Sequence, residues 1–313
     1  MESRLANLSD LLNAIRKADA LIIHGYYLLW VPFFAVAGRL LGSEVHLMPH
    51  GALTARQQKF SVAKKRAFDS LFGRVTRLAL TGFVTGSEIE SHELRKKFPK
   101  SQVRVAGVGV PIPPKHKKGD LPHPTLRMLS MSRIAGKKRI DLSIDALYEL
   151  RRSGVDAVLT VAGAGTDELV EKLKDHAKSF DIEDKVKFVG QLSGAVKERT
   201  FLESDIFLLP SEDENFGIGF AEAASYGLPC VVSTNVAAAV GMPESAGRLI
   251  DDPAGASLAS AIRECIEPSF YQDAQDHARL YAQANFSWEA AADLWLRAMG
   301  RGDLAGKPGI HIE

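Results

Sequence analysis

The sequence has only two cysteines in 313 residues, Cys230 and Cys265, and they lie far apart in the chain. A disulfide framework is therefore excluded, and no cysteine pair has the spacing of a structural zinc site. A reducing cytosolic compartment is the simplest interpretation. We expect both cysteines to be small buried hydrophobic side chains rather than nucleophiles.

Long apolar runs are almost absent. The first twenty residues have a polar amphipathic helix pattern without the apolar core of a secretory signal. One run of nineteen uncharged residues, between Asp19 and Arg39, approaches the length of a spanning helix. Because His24 and Gly25 interrupt it and Pro32 suits a first helical turn, we predict a buried strand, a turn and a helix, with a spanning helix as the alternative.

The chain also lacks an overall charge excess, with 39 basic and 38 acidic residues. Residues 51–118, however, hold 15 Lys or Arg against 4 Asp or Glu, a local net charge of +11. Within them, the basic helical segment 56–77 interleaves Phe and Leu with cations, a pattern typical of interfacial helices. We predict contact with an anionic membrane surface, and a merely solvated basic face is the alternative.

Short apolar segments alternate with helical patterns along the chain, which predicts parallel strands with crossover helices. Residues 111–124 contain five prolines and are interpreted as an interdomain linker. The predicted fold class is α/β, with two Rossmann-like domains facing a cleft. We place the first domain at 1–112, the second at 113–284 and a C-terminal segment at 285–313.

Ligands of such sheets bind beyond the carboxyl ends of the strands. Arg133 and Lys138 follow one predicted strand on a short glycine-containing loop, where they could clamp a diphosphate. After another strand, Glu214 precedes a predicted helix opened by Phe216-Gly217-Ile218, and Glu222 lies about two turns along it. Two carboxylates suited to sugar hydroxyls and two cations suited to phosphates indicate a nucleotide sugar.

These residues resemble the signature of glycosyltransferase family 4, the retaining enzymes of the GT-B fold. The block LLPSEDENFGIGFAEAASYGLPCVVS carries the family's two glutamates, Glu214 and Glu222, separated by seven residues. The strand ending SR, followed by IAGKK, matches the family's Arg and Lys. The segment 285–299 is similar to the helix that crosses back to the first domain, and the similarity extends over residues 20–300.

The resemblance implies a role for each matched residue. Arg133 and Lys138 would bind the donor diphosphate, and Glu222 would bind the ribose. The transferred sugar would contact Glu214, the backbone of Phe216, Gly217 and Ile218, and a catalytic histidine, His50. His24, at another strand end, remains open between a site residue and core packing.

The resemblance further implies a hexosyltransferase that uses a UDP- or GDP-sugar and a lipid-linked or saccharide acceptor. The leaving diphosphate would assist deprotonation of the acceptor, so we assign no protein nucleophile. Because no Asp-x-Asp motif occurs, we expect no metal ion and no cofactor beyond the nucleotide sugar. We expect no nucleic-acid partner, and a cytoplasmic chain peripheral to the inner face of the membrane.

The sequence departs from the family pattern in its first half. We expect a truncated N-terminal domain, because the family's first strand and glycine-rich loop have no counterpart before Ala20, and Arg139 stands where glycine is common. This leaves a second hypothesis, a chain that binds the donor but is catalytically incomplete and needs a partner for the missing strands. A sugar-nucleotide epimerase of the same fold is less favoured, since the seven-residue glutamate spacing with Phe-Gly belongs to the transferases.

Overall fold

The computed structural model describes residues 7–119 and 124–302, which belong to two compact units. Of the described residues, 7–107 and 292–302 form the first unit, and 108–119 and 124–291 form the second. The chain thus changes unit close to the predicted boundary at 112 and again inside the predicted C-terminal segment. Residues 120–123 of the predicted linker and 303–313 of the predicted tail lie outside the described residues.

The first unit is built on a four-stranded parallel sheet. Its elements in chain order are α1 (Leu8–Lys17), β1 (Ala20–His24), α2 (Trp30–Leu40), β2 (Glu44–Met48), α3 (Val62–Phe68), α4 (Arg74–Ala79), β3 (Gly82–Thr85), α5 (Glu88–Lys97) and β4 (Gln102–Val105). The strands follow one another across the sheet in the order β1-β2-β3-β4. The core packs alternate strand residues, such as Leu47 and Phe83, against helix residues such as Ala35 and Leu94.

The uncharged run after Asp19 forms β1 and α2, as predicted for a strand, a turn and a helix. In α2 the small residues Ala35 and Gly38 are buried, and Gly38 lies so close to Leu21 and Val45 that a larger residue would collide with them. Among the described residues, no helix has both the length and the apolar composition needed to cross a membrane.

The second unit is built on a six-stranded parallel sheet. Its elements are β5 (Leu126–Met131), α6 (Ile140–Arg152), β6 (Ala157–Ala162), α7 (Asp167–Lys178), β7 (Val186–Gly190), α8 (Gly194–Glu203), β8 (Ile206–Leu209), α9 (Ile218–Ser225), β9 (Cys230–Ser233), β10 (Gly247–Ile250), α10 (Gly255–Cys265), α11 (Pro268–Phe286) and the first residues of α12 (Trp288–Ala298). The strand order is β10-β9-β8-β5-β6-β7. The predicted α/β class with two sets of parallel strands is therefore confirmed.

Two hydrophobic clusters cover the faces of this six-stranded sheet. Strand β8 is buried at every residue, as a continuous apolar run predicts for a central strand covered on both faces. Helix α6 buries Ile140, Ile144, Leu147 and Leu150, which recur at helical spacing. Helix α9 buries Phe220 together with several small side chains, and Gly219 faces the carbonyl oxygen of Met131 without room for a Cβ. The α9 backbone is thereby held close to the end of β5.

Residues 108–119, which include the described start of the predicted linker from residue 111 onward, are attached to the second unit. The Val110 N–H donates to the Phe286 carbonyl over 2.7 Å, and Arg279 Nη2 donates to the Pro113 carbonyl over 2.7 Å. The Lys117 ammonium is buried and lies 2.7 Å from Asp205 Oδ1. The described part of the proline-rich segment is therefore part of a folded unit.

Both cysteines are free and fully buried, as predicted. Burial raises the pKa of Cys265 to about 12 and also raises the pKa of Cys230. Since only the thiolate is a good nucleophile, neither side chain is reactive at neutral pH.

Candidate active site

The strand order of the second unit identifies where a ligand should bind. The chain runs from β5 outward to β7, then crosses to β8 on the other side of β5. At such a switch point the loops that follow the two neighbouring strands diverge and leave a crevice. Those loops carry Arg133 and Lys138 after β5, and Glu214 and Gly217 after β8. The sequence-predicted donor residues are thus brought to one end of one sheet.

Three consecutive cations on the first loop pair with three consecutive acids on the second. Lys137 lies 3.1 Å from Asp213, Arg139 lies 3.3 Å from Glu212, and Lys138 contacts the Glu214 carboxylate. The Glu212 N–H also donates to the Lys137 carbonyl over 2.8 Å. The pairs fix the two loops to each other and place a predicted phosphate ligand against a predicted sugar ligand.

Lys138 is the buried member of the three cations. Burial, and then the charges of Lys137 and Arg133, lower the pKa of Lys138 to about 8, and the Asp213 charge opposes them. Contact with the Glu214 carboxylate favours the ammonium form. Arg133 is exposed and lies on the same loop, five residues before Lys138. An incoming anion would relieve the repulsion between them.

The start of α9 presents backbone groups to the same crevice. Gly217, its N-cap, has φ +105°, and a Cβ there would collide with Val236. The turn therefore needs glycine. Phe216 is buried against Phe286, whereas Ile218 is half exposed. The first N–H groups of a helix have no partner within the helix, so this turn can donate to the oxygens of a ligand.

Glu222, predicted to bind a ribose, lies in α9 with only 17% of its side chain exposed. Its carboxylate is already paired, because Lys197 Nζ, from α8, lies 2.5 Å from Glu222 Oε1. Lys197 was not predicted. No sequence signal marked it, since a cation 25 residues earlier in the chain is brought to Glu222 only by the packing of α8 and α9.

His50, the predicted catalytic histidine, lies in the first unit and forms a pair with His24. Their rings stack with centroids 5.0 Å apart, and His24 Nδ1 lies 2.8 Å from His50 Nε2. Burial lowers the pKa of His50, and burial and then the His50 charge lower the pKa of His24. Both residues count as exposed, at the end of β1 and just after β2, although each ring is partly shielded. Because both pKa values lie below the ordinary 6.5, both rings are mainly neutral at pH 7. Core packing of His24, left open by the sequence, is therefore wrong.

The loop that carries His50 is anchored by a carboxylate that sequence reasoning missed. His50 and Gly51 both have positive φ, +51° and +80°. The Gly51 N–H donates over 2.5 Å to the carboxylate of Glu90, whose side chain is wholly buried. Glu90 lies in the first turn of α5, a position for which the sequence predicted no contact.

No group of three or more His, Cys, Asp or Glu side chains that could hold a metal ion occurs in residues 7–119 and 124–302.

Comparison with known proteins gives a family for the second unit. The family described as "Glycosyl transferases group 1" matches residues 112–284, which is more than half of the chain. This range contains the predicted donor ligands Arg133, Lys138, Glu214 and Glu222, whereas His24 and His50 lie outside it.

Two relatives illustrate the similarity. The amylovoran biosynthesis glycosyltransferase AmsK of Erwinia amylovora is 34% identical over 153 residues, covering 47% of this chain and 36% of AmsK. A GDP-mannose-dependent alpha-(1-6)-phosphatidylinositol dimannoside mannosyltransferase of Mycobacterium tuberculosis is 30% identical over 177 residues, covering 55% of this chain and 43% of that protein. In both cases the match spans less than half of the relative's length.

Among solved structures, Anabaena HepE in complex with UDP and glucose superposes with a TM-score of 0.72 at 17% identity. The superposition covers 93% of this chain and 80% of HepE. WaaG, titled a glycosyltransferase involved in lipopolysaccharide biosynthesis, superposes with a TM-score of 0.65 at 16% identity, covering 96% of this chain and 82% of WaaG. These likenesses establish a shared fold.

Proposed function

Since this chain belongs to the group 1 glycosyl transferases, we propose that it transfers a hexosyl group from a nucleotide-diphosphate sugar to a lipid-linked or saccharide acceptor. The observation that carries the proposal is the contact between Glu214, just before α9, and Lys138, on a loop that also carries Arg133. Cations for a diphosphate and a carboxylate for a sugar meet there, at the switch point of a parallel sheet.

In the proposed donor complex, Lys138 and Arg133 bind the diphosphate. Lys138 can do this because its present partner, Glu214, is itself a ligand for the sugar hydroxyls. When the donor enters, the ammonium gains phosphate oxygens and the carboxylate gains hydroxyl donors, so neither loses its hydrogen bonds. The N–H groups of residues 216–218 add donors for sugar or phosphate oxygens, and Glu222 accepts from the ribose hydroxyls.

The proposed reaction retains the configuration of the sugar. The bond between the anomeric carbon and the diphosphate oxygen breaks, and a bond from the acceptor oxygen forms on the same face. The acceptor proton passes to the leaving diphosphate, whose charge Arg133 and Lys138 stabilise without a metal ion. His50 is proposed to hold a sugar hydroxyl, and its neutral ring can either donate or accept a hydrogen bond.

The donor contacts proposed above are common to different nucleotides and acceptors, so the names of similar proteins guide the choice of both. HepE binds UDP and the mycobacterial relative is named as GDP-mannose-dependent, so both nucleotides occur among similar proteins. That relative is named for a phosphatidylinositol dimannoside and WaaG for lipopolysaccharide biosynthesis, and both names favour a lipid-linked acceptor. We propose a UDP- or GDP-sugar donor for this chain.

A membrane-side acceptor is favoured by one surface of the first unit. Helices α2 and α4 are neighbours, and α2 with its N-cap and the helical segment 69–79 that ends in α4 expose large apolar side chains, which we call the apolar face: Leu29, Trp30, Phe33, Leu40, Leu71, Val75 and Leu78. A groove between them is lined only by apolar residues of α2 and its N-cap and by Phe72. The same helical stretch, from α3 to α4, also exposes three cations, Lys64, Arg66 and Arg74. We propose that this surface contacts anionic lipid, making the protein peripheral to the membrane.

The donor proposal is tested by measuring binding and hydrolysis of UDP-, GDP- and ADP-sugars by the wild type and by Glu222→Ala. We expect one nucleotide class to bind and to be slowly hydrolysed, and Glu222→Ala to weaken binding about tenfold or more, because charged hydrogen bonds to the ribose are lost. Glu168→Ala is the matched control, since Glu168 also pairs with a lysine but on an exposed helix of the same unit.

The outcomes separate the hypotheses. Binding without turnover, even when acceptors are supplied, would favour the donor-binding but catalytically incomplete chain. If no nucleotide sugar binds, the proposed function is wrong.

A further inference from the structure

The ion pair between Lys197 and Glu222 lies inside the candidate donor site but has no role in the donor contacts proposed above. Lys197 Nζ lies 2.5 Å from Glu222 Oε1, and the side chains are only 30% and 17% exposed. The Lys172–Glu168 pair of α7, in contrast, spans 2.7 Å with side chains 68% and 78% exposed. Exposed pairs contribute little because water screens them, whereas a partly buried pair orients its members.

The placement of Lys197 gives this pair a fixed geometry. Lys197 lies in the first turn of α8, directly after the loop that follows β7. Farther along α8, Phe201 is fully buried and stacks on Tyr226, at the end of α9, with ring centroids 4.9 Å apart. The two helices are thus joined at one position by stacked rings and at another by the ion pair. Lys197 approaches Glu222 from a rigid support.

We propose that Lys197 is a positioning residue for ribose recognition. Its ammonium holds one oxygen of the Glu222 carboxylate and so turns the other oxygen toward the hydroxyls of a bound nucleoside. A carboxylate has about four acceptor sites, so one bond from Lys197 leaves enough capacity for a vicinal diol. This inference rests on the proposed function, in which Glu222 is the ribose ligand.

The ammonium also has a second effect when a nucleotide covers the site. A bound nucleoside removes water from Glu222, and burying an unpaired carboxylate is costly. Paired with Lys197, the carboxylate stays compensated as the water leaves. Without Lys197, the same hydroxyl contacts would be offset by this desolvation, so ribose binding should weaken while phosphate contacts persist.

The experiment compares each nucleotide with its 2′-deoxy form. Isothermal titration calorimetry on the full chain first identifies which of UDP, GDP and ADP binds most tightly. Its Kd and that of its 2′-deoxy counterpart are then measured for the wild type, Lys197→Met, Lys197→Arg and Glu222→Gln. We expect Lys197→Met to raise the Kd of the ribonucleotide about tenfold and that of the deoxynucleotide by a clearly smaller factor, because both nucleotides desolvate Glu222 but only the ribonucleotide has a 2′-hydroxyl contact to lose. Lys197→Arg should restore most of the discrimination, since it keeps the charge.

Matched controls separate positioning from a general structural effect. Lys172→Met makes the same change in the exposed pair on α7 and should alter neither Kd. Equal weakening of both nucleotides by Lys197→Met, or an unchanged preference for the ribonucleotide, would overturn the inference. If Lys197→Met does not fold, as judged by its melting transition, Lys197→Gln is tested by the same two criteria.

Failure of the inference can be told apart from failure of the proposed function. If Glu222→Gln abolishes the preference for the ribonucleotide and Lys197→Met does not, only the role of Lys197 is wrong. If Glu222→Gln leaves the preference intact, or no nucleotide binds to the wild type, the proposed donor site itself is wrong.

Discussion

Lys138 combines burial, two neighbouring cations and a carboxylate partner, and this environment should make phosphate binding depend on pH. Its pKa of about 8 lies well below that of an exposed lysine. Only the ammonium attracts a diphosphate, so affinity should be nearly complete at about pH 7, roughly halved at pH 8 and progressively lost as the pH rises further. The direction follows from deprotonation of a cation that the ligand needs.

We therefore predict that the Kd for a nucleoside diphosphate rises about tenfold between pH 7 and pH 9, because the ammonium fraction of a group with a pKa of about 8 falls from about nine-tenths to about one-tenth over that range. Calorimetric titration between pH 7 and pH 9 measures it. Lys138→Arg should bind with a nearly flat profile over the same range, since a guanidinium stays charged. A wild-type profile as flat as that of the variant would contradict the prediction.

At the residue scale, the sequence predicted the ligands better than their supports. Arg133, Lys138 and Glu214 could be found because their order and spacing place them at strand ends, and such ends meet at one edge of a parallel sheet. Three supporting contacts each join residues from distant segments of the chain: Lys197 with Glu222, Glu90 with Gly51, and His24 with His50. No local pattern encodes such contacts, so they became visible only in the folded chain.

Arg139 illustrates the same limit. The sequence showed that it replaces a common glycine, and the structure gives the reason why glycine suits the position, since Arg139 has φ +50°. Non-glycine residues rarely adopt this conformation. The guanidinium is held by two-pronged hydrogen bonds to Asp141 and by Glu212, and these contacts stabilise the strained turn.

At the element scale, strands were more predictable than the segments between them. The apolar runs of β5, β6 and β8 marked buried parallel strands directly. The pattern of the basic segment 56–77 predicts one helix, whereas in the structure α3 begins only at Val62 and a π-helical turn at Asp69–Gly73 separates α3 from α4. The Asp69 carboxylate accepts hydrogen bonds from Tyr26 and Tyr27 within that turn, over 3.0 and 3.3 Å, which is a tertiary effect.

The attachment of residues 108–119 could not be predicted either, because prolines and lysines normally indicate an exposed linker. Burial of the Lys117 ammonium against Asp205 reverses that expectation. Asp205 also accepts from the Arg127 N–H over 2.8 Å, at the start of β5. One buried carboxylate thus ties the incoming segment to two strands of the sheet.

We predict that Lys117→Met destabilises the second unit by about 3 kcal/mol, because it leaves Asp205 as an uncompensated buried charge. Urea unfolding of the full chain, followed by circular dichroism, measures the loss. Lys115→Met, two residues away at an exposed position, should have no effect. The double variant Lys117→Met/Asp205→Asn should recover part of the loss, and a single variant as stable as the wild type would show that the pair is dispensable.

At the scale of the whole molecule, opposite charges are segregated along the chain. Residues 51–118 carry a net charge of +11, while the chain as a whole has a net charge of only +1. The basic segment contributes α3 and α4, and α4 continues the apolar face. Exposed Leu71 and Leu78 lie on this face, 71% and 74% accessible, where a soluble surface would normally carry polar groups.

We predict that the protein binds vesicles containing anionic phosphatidylglycerol at low salt and that Leu71→Ser/Leu78→Ser weakens this binding about tenfold or more, because two inserted leucines are lost. Co-sedimentation with vesicles measures the partition. Leu280→Ser is the control, since Leu280 is a leucine of α11 with 59% exposure. Binding should also fall at high salt. A protein that ignores anionic vesicles at low salt would rule out the proposed lipid contact.

The burial of Cys230 and Cys265 has a practical consequence for such measurements. Both thiols are shielded and poorly ionised, so maleimide dyes or nitroxide spin labels should leave the native protein unmodified. A single cysteine introduced at an exposed position such as Leu71 would then be the one labelled site, without prior removal of the native cysteines. The chain is in effect a cysteine-free background for fluorescence and magnetic resonance.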